Sequence, residues 1–186
     1  MNPVVDAMRR VDRRRFLPPE MRHLADCDQP LPIGYGATNS QPWTVHYMLE
    51  QLDVWPGQRI LDVGSGSGWT TALLADLTGP TGAVVGVEIV PELVRIARAN
   101  LGEDWPWASI QRADPGALGW PPQAPYDRIL VSADGGRIPE ALEVQLRAGG
   151  RMVIPANHEM WVVSKDEEGA LTRFATGDRF TFVELR

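Results

Sequence analysis

The chain has 186 residues, of which 44% are hydrophobic and 23% are charged, and its formal net charge is −6. These values are typical of one globular domain with a sizeable core, and the acidic balance disfavours nucleic acid as the main partner. Cys27 is the only cysteine, so an internal disulfide and a cysteine-based metal cluster are excluded. Neither a secretory signal nor a membrane span is predicted, and we expect a cytoplasmic monomer with no membrane or metal partner.

The N-terminal segment, residues 1–54, is predicted to form a cap of helix and loop. The apolar spacing of residues 3–12 predicts a short amphipathic helix. The basic cluster at residues 9–15 is interpreted as the solvated face of a short helix. Residues 17–40 are rich in proline and glycine and show no periodicity, and a stretch of this kind inside a compact domain is usually functional. Ser40–Pro42 then suits the start of a second helix.

From residue 55 onward, strands and helices are predicted to alternate. The predicted strands are 59–63, 83–87, 107–111, 127–131 and 151–154, and the predicted helices are 69–77, 91–101 and 139–146, the last ended by Gly149-Gly150. Residues 160–164 and 171–176 are predicted to form an antiparallel hairpin, and residues 180–185 to add a last strand.

Repeated βα units imply a parallel sheet with helices on both of its faces. We therefore expect an α/β fold: a Rossmann-like, doubly wound, mainly parallel seven-stranded sheet with an antiparallel C-terminal edge hairpin and an N-terminal helical and loop cap. The expected organisation is one domain over residues 1–186. It comprises a cap and substrate-side segment (1–54), a cofactor-binding core (55–155) and C-terminal antiparallel strands (156–186).

A glycine-rich turn follows the first predicted strand of the core. The turn carries Gly64, Ser65, Gly66 and Gly68, and glycine lets the backbone turn sharply and approach a ligand closely. Strand ends and helix N-termini open onto the same crevice in such folds. The G-x-G-x-G spacing differs from the G-x-G-x-x-G of dinucleotide sites, so a different nucleoside cofactor is favoured.

Three carboxylates are candidates for the same site. Glu88 ends the second core strand, 20 residues after Gly68, where an acid can accept both hydroxyls of a ribose, and we include its neighbour Ile89. Asp114 follows the third strand and either faces an adenine or caps its loop. Asp62 lies beside the glycine turn and binds either loop amides or an amino group of the cofactor.

The segment Leu31–Pro42, LPIGYGATNSQP, resembles the signature of protein-L-isoaspartate O-methyltransferases, and matching segments extend over nearly the whole chain. They are VDRRRFLP at 11–18, VEIVPEL at 87–93, PYDRILV at 125–131 and GGRMVIP at 149–155. The resemblance implies S-adenosyl-L-methionine as the cofactor and isoaspartyl-containing proteins or peptides as the substrates. It also implies that the methyl ester closes to a succinimide, which can reopen to normal aspartate.

Within the signature, the resemblance places Ser40 beside the reacting carboxylate and Thr38 and Asn39 along the cofactor. Serine is also a common N-cap, so Ser40 has a purely structural alternative. A carboxylate is already anionic at pH 7, so the transfer needs no strong general base and depends on alignment of the reacting atoms.

The chain departs from the family pattern at several positions. Pro115 after Asp114 removes a backbone N–H, and Asp134 either brings a negative charge near an anionic substrate or points to solvent. Trp43 either walls the transfer site or packs in the core. Asp134 and the short N-terminus motivate a second hypothesis, a methyltransferase for another protein carboxylate. A third is a cofactor-binding homologue without catalysis, and a nucleotide-dependent oxidoreductase is disfavoured by the glycine spacing.

Overall fold

The computed structural model describes residues 2–185. The N-terminal part contains α1 (Pro3–Arg10), two 3-10 helices (Arg13–Phe16 and Pro19–Leu24), β1 (Leu31–Gly34), β2 (Ala37–Asn39) and α2 (Pro42–Leu52). The rest contains β3 (Arg59–Val63), α3 (Trp69–Thr78), β4 (Ala83–Glu88), α4 (Pro91–Leu101), β5 (Ala108–Arg112), a 3-10 turn (Pro121–Gln123), β6 (Tyr126–Val131), α5 (Glu140–Glu143), β7 (Leu146–Ala156), β8 (Glu159–Lys165) and β9 (Leu171–Arg179).

Strands β3 to β9 form one seven-stranded sheet in the order β5-β4-β3-β6-β7-β8-β9. The pairs from β5 to β7 are parallel, whereas β8 and β9 join antiparallel at one edge. The predicted Rossmann-like fold with an antiparallel C-terminal hairpin is therefore confirmed. After β3 the chain first builds β4 and β5 on one side and then β6 on the other, so a crevice opens at the carboxyl ends of β3 and β6, where such sheets bind ligands.

The central strands are apolar because both of their faces are covered. In β3, Ile60 belongs to the core on one face and Leu61 to the core on the other. Helices α1, α2, α3 and α4 contribute apolar side chains to the first face. The second face is covered by shorter pieces, chiefly the segment 113–124 and α5. None of the described helices is both long enough and apolar enough to cross a membrane.

Two predicted elements of the C-terminal half are wrong. The helix expected over 139–146 is only the four-residue α5, because Leu146 already pairs with Tyr126 at the start of β7. Gly149 and Gly150 therefore lie inside β7, near an irregularity in its pairing with β6, and do not end a helix. Residues 180–185 form no strand; they contribute a single bridge between Glu184 and Asp134.

The aperiodic segment 17–40 folds into a 3-10 helix and the β1–β2 hairpin. Its apolar side chains form a small cluster with Leu93 of α4, in which Leu17, Leu31 and Ile33 are buried. Ile33 reaches the glycine turn: a Cβ on Gly66 would lie 3.2 Å from the Ile33 Cδ1 atom. The hairpin is thus held directly over the loop that follows β3.

Candidate active site

The loop after β3 has the conformation that its glycines predict. Gly64, Gly66 and Gly68 all have positive φ, at 79°, 53° and 95°. The amides of Gly64 and Ser65 donate to the Val87 carbonyl, 2.9 and 3.0 Å away, and so attach the loop to the end of β4. At Gly68 a Cβ would lie 3.3 Å from the Ala97 Cβ, so this glycine also lets α4 pack against the start of α3.

Glu88 ends β4 with a buried carboxylate that faces the glycine loop. Its Oε2 accepts from the Gly66 amide and its Oε1 accepts from the Val90 amide, both at 2.9 Å. Each oxygen keeps acceptor capacity beyond these single bonds. The carboxylate is therefore held in one orientation by backbone on both sides.

Asp62 makes no hydrogen bond to the loop amides within residues 2–185, and a bond to an amino group of the cofactor stays a prediction. Its carboxylate is fully buried, and Oδ2 accepts from the hydroxyls of Thr70 and Thr71, at 2.7 and 2.6 Å. Oδ1 has no hydrogen-bond partner among residues 2–185. Burial raises the pKa of Asp62 to about 6, while the two threonine hydroxyls act in the opposite direction. The residue ties β3 to the first turn of α3.

The signature segment runs along the hairpin and into α2. Asn39 is buried at the end of β2, and its Nδ2 donates to the Ser67 hydroxyl over 3.4 Å. Ser40 is not the N-cap of α2: that position is Gln41, which makes no side-chain capping bond. The Ser40 hydroxyl has no hydrogen-bond partner within the described part of the chain, so the structural alternative for this serine is wrong.

A cavity of about 410 Å³ lies at the carboxyl ends of the strands, between the hairpin and the glycine loop. This volume is in the range of small-molecule sites. The predicted residues on its wall are Thr38, Asn39, Ser40, Gly64, Ser65, Gly66, Glu88, Ile89 and Asp114. Asp62 and Gly68, also predicted as cofactor ligands, lie behind the loop and do not line the cavity, because one bonds to α3 and the other packs on α4.

Asp114 caps its loop, which is one of the two alternatives left open by the sequence, and its contact with an adenine stays a prediction. Its Oδ1 accepts from the Gly116 amide at 2.8 Å, which caps the loop, and the residue also lies on the cavity wall. Pro115 lies beside it on the same wall. The proline therefore replaces an amide donor with an apolar surface at this point of the cavity.

Comparison with known proteins agrees with this geometry. The profile of the family described as protein-L-isoaspartate(D-aspartate) O-methyltransferase matches residues 1–185. A protein-L-isoaspartate O-methyltransferase of Methanopyrus kandleri is 46% identical over 179 residues, which cover 92% of this chain and 78% of that protein. One of Methanothrix thermoacetophila is 47% identical over 169 residues, covering 89% of this chain and 80% of that protein.

A solved structure agrees as well. A Plasmodium falciparum protein described as a protein-L-isoaspartate O-methyltransferase, in complex with S-adenosyl-L-homocysteine, gives a TM-score of 0.86 at 25% identity. The match covers 100% of this chain and 91% of that one. The chain belongs to the protein-L-isoaspartate(D-aspartate) O-methyltransferase family.

Sequence reasoning missed several residues around the site of this family member. Ser132, Arg137 and the segment 183–185 complete the wall opposite the hairpin, and Arg137 is the only basic side chain on the wall within residues 2–185. Arg13, expected on a solvated face, is buried and bonds to the backbone behind Ser40. Its place within the matched segment 11–18 was the one available signal.

Two further predictions about this methyltransferase-family chain are wrong. Trp43 is 50% exposed and neither lines the cavity nor packs in the core; it lies at the surface and stacks on Tyr47 and on the buried Phe180. Asp134 points neither to substrate nor to solvent. Its oxygens accept from the amides of Gly136, Asn157 and His158, at 2.8 to 3.0 Å.

Proposed function

We propose that the chain methylates the free carboxylate of L-isoaspartyl residues in damaged proteins and peptides, using S-adenosyl-L-methionine bound in the cavity. The observation that carries this proposal is the placement of Ser40. Ser40 lines the same cavity as the glycine loop and Glu88, across from that loop, and no other described residue engages its hydroxyl.

The cavity fits the cofactor in shape and chemistry. Gly64 and Gly66 have positive φ values and no side chains, so the cofactor can approach the loop backbone closely. Glu88 offers acceptor capacity at the end of β4, where a ribose would be bound through both hydroxyls. Asp114 and Ile89 extend the wall toward the expected base. When bound, the cofactor supplies a methyl group activated by a positively charged sulfur.

The residues of the chain then have to hold and align the substrate. The substrate carboxylate is anionic at neutral pH, so we assign no general base. The Ser40 hydroxyl donates a hydrogen bond that orients one carboxylate oxygen, and the apolar wall of Val63, Val87 and Ala133 excludes water. Alignment in a dry site accounts for most of the expected rate gain.

The position of Asp134 no longer supports the hypothesis that the chain methylates a different carboxylate. One of the two alternatives for Asp134 was a negative charge near an anionic substrate, but its side chain accepts from three backbone amides and does not line the cavity. A substrate carboxylate bound in the cavity therefore has no direct contact with this side chain.

We also propose that the protein acts as a cytoplasmic monomer on peptide and protein substrates, without nucleic acid or a membrane. The net charge of −6 and the single, free cysteine support this assignment. Light scattering of the purified protein tests the oligomeric state, and a stable dimer would contradict it.

The function is tested with labelled S-adenosyl-L-methionine and three matched peptides that contain isoaspartate, aspartate or asparagine at one position. Base-labile label on the isoaspartyl peptide alone is the expected result. Equal labelling of the aspartyl peptide, or no labelling while the cofactor binds, would contradict the proposal.

Two pairs of variants assign the residues. Ser40→Ala should lower kcat at least tenfold and leave the affinity for S-adenosyl-L-homocysteine within about threefold, with Ser164→Ala on β8 as its control. Glu88→Gln should weaken that affinity at least tenfold, because its NH2 group would face either the Gly66 amide or the Val90 amide as a second donor and would leave one acceptor oxygen fewer for the ribose. Glu92→Gln, on the exposed first turn of α4, is the matched control. Unchanged kcat or unchanged affinity would remove the corresponding role.

A further inference from the structure

Arg13 differs from its basic neighbours in both burial and partners. Its side chain is buried, with the residue only 6% exposed, at the start of the first 3-10 helix. Arg14 is paired with Asp12 and Asp26 at the surface, and Arg15 is paired with Asp104. The acceptors of Arg13 within residues 2–185 are all uncharged oxygens.

The guanidinium of Arg13 joins two segments of the chain, residues 25–29 and residues 39–40. Nη1 donates to the carbonyls of Ala25 and Cys27, and Nη2 donates to that of Gln29. On the other side, Nε donates to the Asn39 Oδ1 at 2.8 Å, and Nη2 donates to the carbonyls of Asn39 and Ser40 at 3.3 and 2.9 Å. A planar fork with five fixed donors suits this arrangement, whereas lysine offers three donors on one nitrogen.

Burial of the positively charged Arg13 guanidinium is unfavourable unless its hydrogen bonds compensate for the lost hydration. Burial lowers the pKa of the Arg13 guanidinium, and the negative charge of Asp28 opposes only part of that effect. Removal of a cation from water without a bonded counter-ion is unfavourable, although charge-assisted hydrogen bonds offset much of this penalty. An apolar side chain would fill the same space without this desolvation, so the hydrogen bonds, and not the packing, account for an arginine here.

The same group also reaches the glycine loop. Asn39, which accepts from Arg13, donates through Nδ2 to the Ser67 hydroxyl. The guanidinium carbon lies 5.2 Å from the ring centroid of Trp69, the first residue of α3, at a distance typical of a cation–π contact. Ser40, Asn39, Ser67 and Trp69 all line the cavity. Arg13 therefore contacts both walls between which methyl transfer is assigned, yet does not line the cavity.

Arg13 bonds the Ser40 carbonyl directly before α2, whose N-cap residue Gln41 makes no capping bond of its own. The Asp28 side chain caps the first turn instead, by accepting from the Trp43 amide at 2.8 Å, and it does not reach the Ser40 peptide. Arg13 holds the carbonyl of Ser40, and this bond restricts the backbone from which the Ser40 hydroxyl projects. A shift of about 1 Å in a group that aligns reacting atoms can cost roughly a hundredfold in rate.

We propose that Arg13 is a positioning residue for methyl transfer, which fixes the Ser40 peptide and the Asn39 side chain against the glycine loop through uncharged oxygens. This inference rests on the proposed function, because Ser40 is taken as the group that orients the substrate carboxylate.

The test compares Arg13→Lys and Arg13→Ala with Arg14→Lys and Arg14→Ala, which change the adjacent, exposed arginine. We expect both Arg13 variants to lower kcat at least tenfold on the isoaspartyl peptide, with less than a fivefold change in KM and in the affinity for S-adenosyl-L-homocysteine. Millimolar guanidinium ion should restore part of the kcat of Arg13→Ala and none of that of Ser40→Ala. The Arg14 variants should stay within twofold of wild type.

Several outcomes would overturn the proposal. One is kcat within twofold of wild type in a folded Arg13 variant. Another is a loss that appears in cofactor affinity rather than in kcat. If both Arg13 variants are unfolded at temperatures where the wild type is folded, the residue serves folding alone and the proposal also fails.

Failure of the proposed isoaspartyl methylation can be distinguished from failure of the proposed role of Arg13, because the wild type is assayed first. If the wild type labels no isoaspartyl peptide, hydrogen exchange of the S-adenosyl-L-homocysteine complex still tests the positioning. Faster exchange at residues 37–41 is expected in Arg13→Lys and not in Arg14→Lys, and equal exchange in the two variants would contradict it.

Discussion

The buried carboxyl group of Asp62 makes the free energy of unfolding depend on pH. Its pKa is raised from 3.8 to about 6 by burial, so between these pH values the folded chain binds more protons than the unfolded chain. The contribution of Asp62 to the free energy of unfolding therefore falls as the pH rises from about 4 to about 6 and stays level above that range. Asp62→Asn cannot ionise and loses this dependence. We expect the free energy of unfolding of the variant to gain about 2 kcal/mol relative to wild type between pH 4 and pH 7, measured by urea denaturation.

Thr71→Val is the control for this prediction. It removes the hydroxyl that donates to the Asp62 Oδ2 at 2.6 Å and nearly conserves the shape of the side chain. The pKa of Asp62 should rise further, and the pH range in which stability is lost should extend above 6. Parallel curves for Asp62→Asn and wild type would contradict the assigned ionisation.

At the scale of elements, Gly86 in β4 shows how closely strand, helix and glycine loop pack. A Cβ at this position would lie 2.6 Å from the Ile110 Cδ1, 2.6 Å from the Thr71 Oγ1 and 3.1 Å from the Ser65 Cβ. Gly86→Ala should therefore lower the free energy of unfolding by about 1–3 kcal/mol, the usual range for overpacking, in urea denaturation. The affinity for S-adenosyl-L-homocysteine should fall as well, because Ser65 belongs to the glycine loop.

Two variants serve as references for Gly86→Ala. Adding Ile110→Val removes the Cδ1 atom and should recover part of the lost stability. Gly116→Ala, whose Cβ would meet only the Asp114 Oδ1 at 3.4 Å, should stay close to wild type. An alanine at position 86 that leaves both stability and affinity unchanged would show that α3 and the loop can move away from β4.

Elements with strong local signals could be predicted from the sequence. The bounds of β3 and α4 match the expectation, since a buried apolar run and a proline-started amphipathic pattern determine them locally. The β1–β2 hairpin and the early start of β7 could not, because a turn in a proline-rich segment and the pairing of Leu146 with Tyr126 depend on distant partners. The same holds within the site: Glu88 is placed by its strand end, whereas the burial of Arg13 depends on carbonyls up to 27 residues away.

At the scale of the whole molecule, Asp134 joins three distant parts of the chain opposite the signature hairpin. Its backbone N–H donates to the Val183 carbonyl, and its own carbonyl accepts from the Leu185 amide. Its side chain accepts from Asn157 and His158, between β7 and β8. Partial burial of the carboxylate acts to raise its pKa, but the backbone N–H donors outweigh this effect and the pKa is lowered overall.

The last prediction follows from this lowered pKa. A carboxyl whose pKa is lower in the folded chain stabilises it above the ordinary value of 3.8, and this contribution disappears as the pH falls through the folded pKa. Asp134→Asn turns one acceptor oxygen into a donor that faces backbone N–H groups, so it should cost about 1–3 kcal/mol of unfolding free energy at pH 7. The difference from wild type should shrink below pH 4.

Hydrogen exchange should at the same time speed up at residues 134–136, 157–158 and 183–185, because these amides share one carboxylate or one bridge. The matched control is Asp166→Asn in the β8–β9 turn, which accepts from the Ala170 amide and lies away from the cavity. Faster exchange confined to residue 134 and its immediate neighbours would contradict the link, since the cavity wall formed by residues 183–185 would then be held without Asp134.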